Sequence, residues 1–329
     1  MKQWVTGVVQ LLQHCLIIIR SAYYIQGPKL TNLTRCYKTV DFFTFGNQPI
    51  AMLCCLCTVG QVVHTLPEGE SVHGVTTVGD EVFVLRCKSR DHIEVYDVIA
   101  YRLRRHITVP SIRGFANMTS CEHHRCVYIS DHVVECIHRV DVRGGATRWA
   151  VNDEPSAISV NVARNVLVAC DVVHKIKEFS SHGDLLRAVT LPDDVLKPWH
   201  AVQLTSGQLV VCHGGGDNTL HRVCMLTPDG SQTVHSHGGA RGSNTGQYDV
   251  PKRLAVDDNG FVFVVDLLNR RVTLLSPTLS YVRQVVSSDK LTGQPDAPHL
   301  DVQRRRLYVA DKELKNGKYT AGRVMVFSV

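Results

Sequence analysis

Three histidines stand at comparable points of three apolar-alternating runs: His73 before Gly-Val-Thr, His200 before Ala-Val-Gln and His299 before Leu-Asp-Val. Three neutral imidazoles on one zinc ion leave a fourth position for water or substrate, which suits polarising a carbonyl or activating a nucleophile. Arg253 precedes Leu-Ala-Val in a fourth such run. A fixed cation among three imidazoles opposes a divalent metal unless a carboxylate intervenes. His73, His200 and His299 are therefore candidate metal ligands, with histidines bonded to water or backbone as the other reading.

The remaining clusters carry less. Cys121-Glu-His-His-Arg-Cys126 packs four zinc-type ligands into six residues, but a turn that short cannot aim all four at one tetrahedral centre. Cys54-Cys55-x-Cys57 lacks the paired CxxC spacing of a zinc ribbon. The glycine-rich runs His213–Asp217 and His237–Gly246 do not spell a phosphate loop, and no helix follows to present amides to a phosphate. Basic residues gather at Arg102–His106, Lys252-Arg253, Arg270-Arg271 and Arg304–Arg306. Of these, Lys252 and Arg253 with nearby Tyr248 form a candidate binding face, against solvated surface charge as the plain alternative. No Ser-His-Asp arrangement, carboxylate pair or cofactor fingerprint is present. No catalytic residue is assigned.

The elements that must position these residues repeat. From about Val72 the chain cycles through an apolar-alternating run, a polar turn, a stronger β run and a third β run. The second runs are VFVLR, VYISD, VLVACD, LVVCH, VFVVD and LYVAD, ending at Arg86, Asp131, Asp171, His213, Asp266 and Asp311. Their separations of 45, 40, 42, 53 and 45 residues suit one four-stranded unit per repeat. β-branched and aromatic residues fill the runs, and no segment after residue 60 keeps a 3.6-residue apolar period over three turns. The predicted fold is all-β, a six-bladed β-propeller of four-stranded antiparallel blades. The last repeat stops at a third strand, Gly322–Val329, so the run Thr58–Leu66 is expected to supply the fourth and close the ring. First strands line the channel of such a fold, and the predicted channel ring is His73, Gly114 or a neighbour, Ala157, His200, Arg253 and His299.

The fifth repeat, Val250-Pro-Lys-Arg-Leu-Ala-Val-Asp-Asp-Asn-Gly-Phe-Val-Phe-Val-Val-Asp266 followed by Asn269-Arg-Arg-Val272, resembles an NHL repeat. The likeness fades over residues 58–329, and Arg86 and His213 stand where the pattern expects Asp. Each strand-end Asp is expected to hold an Arg of the next strand, as Asp131/Arg139, Asp266/Arg271 and Asp311/Arg323. NHL propellers in TRIM-type ubiquitin ligases recognise protein or RNA, which implies a non-enzymatic binding platform associated with ubiquitin ligation. No RING, B-box or coiled-coil heptad is present to transfer ubiquitin. The NHL-like propeller of peptidyl-α-hydroxyglycine amidating lyase binds zinc through histidines that follow proline. Pro298-His299 is similar, and Pro198-Trp199-His200 is one residue longer. That likeness implies the alternative, a metal-dependent lyase or lactonase.

Composition agrees with a folded recognition domain. The 329 residues are 44% hydrophobic, enough for a sizeable core, and a net charge of +6 permits acidic partners without demanding nucleic acid. Most of the 12 cysteines stand singly in apolar runs, as Cys87, Cys126, Cys136, Cys170, Cys212 and Cys224 do, which reads as reduced thiols in a cytoplasmic protein. Residues 1–57 share none of the periodicity and are read as an irregular N-terminal extension, a candidate for disorder. Met1–Ile19 imitates a signal peptide, but Gln10, Gln13 and His14 interrupt it and it is too short and polar to span a membrane. The sequons at Asn32 and Asn117 would matter only outside the cytoplasm. The expected partner is a protein, with RNA second and neither DNA nor a membrane. Zinc is the one cofactor entertained, and otherwise none is expected.

Overall fold

The computed structural model describes residues 60–86, 92–110, 112–215 and 220–329, together with a short pairing of Thr44–Phe45 with Gln48–Pro49. The chain divides into two units, 1–59 and 60–329. The rest of the expected extension, including Cys54 to Cys57 and the sequon at Asn32, lies outside the described residues, as does Cys87.

Residues 60–329 form six four-stranded antiparallel sheets in a closed ring. The innermost strands are Val72–Val78, Phe115–Cys121, Ala157–Val160, Pro198–Gln203, Pro251–Val256 and Gln294–Asp301. Each begins on what we call the upper face and ends on the lower. Second strands such as Leu209–His213 and Val262–Asp266 are buried at every residue, which is why they read as unbroken apolar runs. Outermost strands such as Leu185–Thr190 are mostly exposed. On the outer strand of blade one, Leu103–Thr108, Arg104 and Arg105 both pair with Glu81, placing charge on a sheet edge that would otherwise invite a foreign strand. Apolar clusters fill the wedges between neighbouring blades, for example Phe83, Leu85, Met118 and Ile129 between blades one and two.

Closure follows the sequence expectation. Val62–Thr65 is the outer strand of blade six, with Met325 opposite Thr65 and Phe327 opposite Val62. Leu66, Val75 and Val84 pack on Tyr308, Val324 and Val326 across the join. Among the described residues no helix is long and apolar enough to cross a membrane.

In every blade but the third, one residue near the upper end of the second strand ties down the link that feeds the inner strand. In blades two, five and six it is an aspartate that accepts backbone N–H groups of that link. Asp131 takes Arg113 and Gly114 at 2.7 and 2.9 Å, Asp266 takes Asp249 at 2.8 Å, and Asp311 takes Gly293 and Thr292 at 2.7 and 2.9 Å. Blades one and four reverse the polarity. Arg86 donates to the carbonyls of Pro67 and Glu70 at 2.8 and 2.9 Å, and His213 Nδ1 donates to that of Leu196 at 3.3 Å. Arg271 and Arg323 meet Asp266 and Asp311 at 2.8 and 3.0 Å as expected.

Two details correct the sequence reading. Arg139 does not serve Asp131: the ladder sets Cys136 opposite Asp131, and Arg139 lies three positions on, 3.9 Å from Asp141. In blade three the strand-end position is Cys170, opposite Lys175, and Asp171 is already in the turn.

Candidate functional site

The ladders fix which inner-strand residues share a level of the channel. Opposite the residue just before the strand-end position on the second strand, which in the longer strand of blade six is Ala310 before Asp311, stand Gly74, Asn117, Ala157, His200, Arg253 and Asp296. Ala157, His200 and Arg253 are where the sequence placed them. His73, Gly114 and His299 are not. His73 is the extra residue of a bulge between Val72 and Gly74, and Gly114 precedes the strand, leaving its level to Asn117. His299 lies opposite Tyr308, at the level of Thr76, and Asp296 takes the place expected for it. The proline that marks the register is the one opposite the strand-end residue: Pro198 opposite His213, Pro251 opposite Asp266, and Pro295, not Pro298, opposite Asp311.

The lower channel is a cavity of about 200 Å³ lined in part by Asn117, Thr119, Ser120, Ser159, His200, Arg253 and His299. Its histidines are fixed as neutral tautomers. Leu254 N–H donates to His200 Nδ1 at 3.0 Å, so Nε2 carries the proton and donates to the carbonyl of Ile158 at 3.1 Å. Thr77 N–H and its hydroxyl lie 3.2 and 2.7 Å from His299 Nε2, so Nδ1–H donates to Thr76 Oγ1 at 3.2 Å. The chain runs on through Ser120 Oγ at 2.7 Å to the carbonyl of Thr77 at 2.9 Å. Burial holds the His200 pKa down at about 3, with Arg253 beside it, and that of His299 at about 4. Both imidazole lone pairs accept an N–H, so neither is offered to a metal. Among the described residues no three His, Cys, Asp or Glu side chains gather as a metal site needs, and His73, His200 and His299 are not brought together.

At the upper mouth the arrangement is charged. Asp296 Oδ2 receives Lys312 Nζ at 2.7 Å and Lys252 Nζ at 3.1 Å, and Asp296 Oδ1 lies 3.6 Å from Arg253 Nε. The terminal guanidinium nitrogens of Arg253 also point at the carbonyls of Trp199, Lys252 and Ser156, each at 3.2 Å. Lys312 Nζ sits 5.3 Å above the Tyr319 ring. The three cations hold the Asp296 carboxyl well below the ordinary carboxylate range despite its burial. Burial, aided by Lys312 and Arg253, brings the Lys252 pKa down to about 8, while burial and Lys312 hold His73 at about 3.

Sequence reasoning missed Asp296, Lys312, Asn117 and Thr76. A usable signal existed for the first: Pro295-Asp296 opposite a strand-end Asp matches Pro251-Lys252-Arg253 once the missing bulge is allowed for. Lys312 left no such trace, because a lysine in a strand is ordinarily taken for a solvent-facing residue.

Other candidates fall away from the channel. Tyr248 cannot join a binding face, because it is buried between blades four and five, where its hydroxyl lies 3.3 Å from Thr273 Oγ1. Cys121 and Cys126 face each other across a tight lower-face hairpin and are free thiols. Burial pushes Cys170, Cys212 and Cys224 up to about 12, which leaves them unreactive. Asn117 is buried in the channel, its side-chain carbonyl bonded to Ile158 N–H at 3.2 Å, so that sequon is no glycosylation site in the folded chain. Arg270 is spent on the carbonyls of Leu291 and Gly293, and Arg304 on Asp301 and Asp80.

Val133, Val134, Val172, Val173, Leu196, Leu220, Leu268 and Leu314 are exposed in upper-face turns and hairpin ends, Ile99, Val162 and Val302 in lower-face turns, and Leu103, Leu185, Leu186, Val234, Tyr281 and Val282 at the lower ends of outer strands.

No protein-family model matches the chain, and no curated protein matches it. Solved structures do. The streptogramin B lyase structure superposes at a TM-score of 0.55 with 13% identity, covering 80% of this chain and 88% of that one. Hydrazine synthase from Kuenenia stuttgartiensis gives 0.56 with 12% identity over 81% and 98% of the two chains. The Cps50 (Swd1) β-propeller domain from Myceliophteria thermophila gives 0.54 with 11% identity over 82% and 99%. At these identities the likeness is one of fold, which enzymes and non-enzymes share.

Proposed function

We propose that this propeller is a non-enzymatic platform that recognises a protein partner through its upper face. The observation that carries the reading is the exposure of aliphatic pairs, Val133-Val134 and Val172-Val173, in the upper-face turns between second and third strands of adjacent blades. Solvent-facing aliphatics repeated on one face are what a protein contact buries. The channel histidines favour the same reading, since their hydrogen bonds leave no base or ligand lone pair pointing into the cavity. The NHL-like features of blade five support it further. In a ubiquitin-ligase setting the propeller would select the substrate and leave transfer to another domain. RNA is the weaker partner, because Arg104, Arg105, Arg270, Arg271 and Arg304 are engaged within the fold.

The test is cross-linking of intact chain in cell extract, comparing a V133D/V172D variant with a lower-face V162D control. A protein cross-linked by wild type and V162D but lost in V133D/V172D supports the proposal. Equal recovery by all three would sink it.

A further inference from the structure

At the centre of the upper face three cations, Lys252, Arg253 and Lys312, surround one carboxylate, Asp296. Side chains of Asp296 and Lys312 are 2% exposed and that of Arg253 is 3%, whereas that of Lys252 is 17% exposed. A largely dry group of charges with an excess of two positives is costly unless something answers each of them. The guanidinium of Arg253 is answered by three carbonyls, and Lys312 has the shorter contact with Asp296 and the Tyr319 ring beneath it. Lys252 shares its carboxylate oxygen with Lys312 at the longer distance and alone of the four reaches solvent to an appreciable degree.

We propose that Lys252 at the channel mouth binds a carboxylate, supplied by an acidic side chain of the protein partner that docks on the upper face. The proposal rests on the platform reading above and adds the chemistry its centre selects. The incoming oxygen takes an N–H of the Lys252 ammonium, and the site's excess falls from two charges to one. His73, Lys312, Arg253 and Asp296 are the titratable and charged neighbours of that ammonium. A phosphate is disfavoured, because the planar fork of Arg253 that would grip it is turned onto backbone carbonyls. The exposed aliphatics of the upper-face turns favour an acidic residue flanked by apolar ones.

The experiment is a thermal-shift titration of the full chain at pH 7 and constant ionic strength. Its probes are propionate, inorganic phosphate, and a capped tripeptide with a central glutamate between two valines, each compared with chloride. Propionate should raise Tm saturably in the wild type and in Lys252→Arg and do nothing beyond chloride in Lys252→Met. The tripeptide should act at concentrations about tenfold lower than propionate. Lys252→Met leaves Asp296 with two partners, so the variant folds, and Lys252→Arg controls for loss of packing. Binding should fade as pH rises through about 8, where the free ammonium loses its proton. No response beyond chloride, a response that persists in Lys252→Met, or a stronger response to phosphate overturns the carboxylate site. Propionate as effective as the tripeptide overturns the assignment to a partner's side chain. None of these outcomes bears on the V133D/V172D cross-linking result, so the two proposals fail separately.

Discussion

The upper and lower halves of one channel are made by the same six strands and solve opposite problems. Below, the histidines are neutral and their ring N–H groups find acceptors within the fold, as in the run from His299 through Thr76 and Ser120 to the Thr77 carbonyl. Above, one carboxylate stands among three cations, and the charges do not balance. A neutral network can be closed by the protein alone. An unbalanced one is finished by something from outside, which is why we place recognition at the upper mouth.

The largest test of this contrast is Asp296→Ala. It leaves three buried or nearly buried cations without their anion and should cost about 3–5 kcal/mol, read from denaturant midpoints. A loss below about 1 kcal/mol would mean that solvent already neutralises the upper half. Acid tests the neutral histidines and the carboxylate of the channel in different pH windows. His200 and His299 are neutral in the folded chain, with pKa values of about 3 and 4, but titrate near 6.5 when unfolded. The unfolded chain therefore binds more protons, and stability falls as pH drops from about 6.5 toward 4, by up to about 1.4 kcal/mol per pH unit for each histidine. Asp296 is depressed, so its contribution is present above the unfolded carboxylate range and is lost only below about pH 4. His299→Gln should lessen the slope of the first window, to which His73, His200 and His213 also contribute, and leave the second unchanged, which a midpoint series across pH would show. Thr76→Val should cost about 1–2 kcal/mol by stranding the His299 Nδ1–H and removing the hydroxyl that donates to Ser120. Smallest of all, Lys312→Met removes a surplus cation of similar size and should shift stability by no more than about 1 kcal/mol in either direction. A loss as large as that of Asp296→Ala would contradict the claim of excess charge.

How much of this was legible in the residues depended on which periodicity carried it. Blade number and the closing strand rest on long apolar runs and turn residues, signals repeated six times, and the structure matches them. The channel ring rests on register, where one residue moves a side chain to the other face. Bulges at His73, Trp199 and Lys252, and the different irregularity between Asp296 and His299, shift it blade by blade. His200 and Arg253 were placed correctly because their prolines are unambiguous. His299 was misplaced because Pro295 and Pro298 compete as markers. Arg139 failed on register too: Cys136 stands opposite Asp131, and His138, two positions on along the same face, lies 3.5 Å from it.

Blade six borrows its outer strand from the opposite end of the repeat array, and Thr65 meets Met325 across 260 residues of chain. Closing a loop of that length costs about 5 kcal/mol in chain entropy, beyond what any hairpin-linked blade must overcome. During synthesis, blades with consecutive strands can form as they leave the ribosome. Val62–Thr65, made first, must wait unpaired until Lys318–Ser328 has emerged. For that interval it is a solitary β-edge, and an early-folding chaperone or a second nascent chain has access to it before its own partner does.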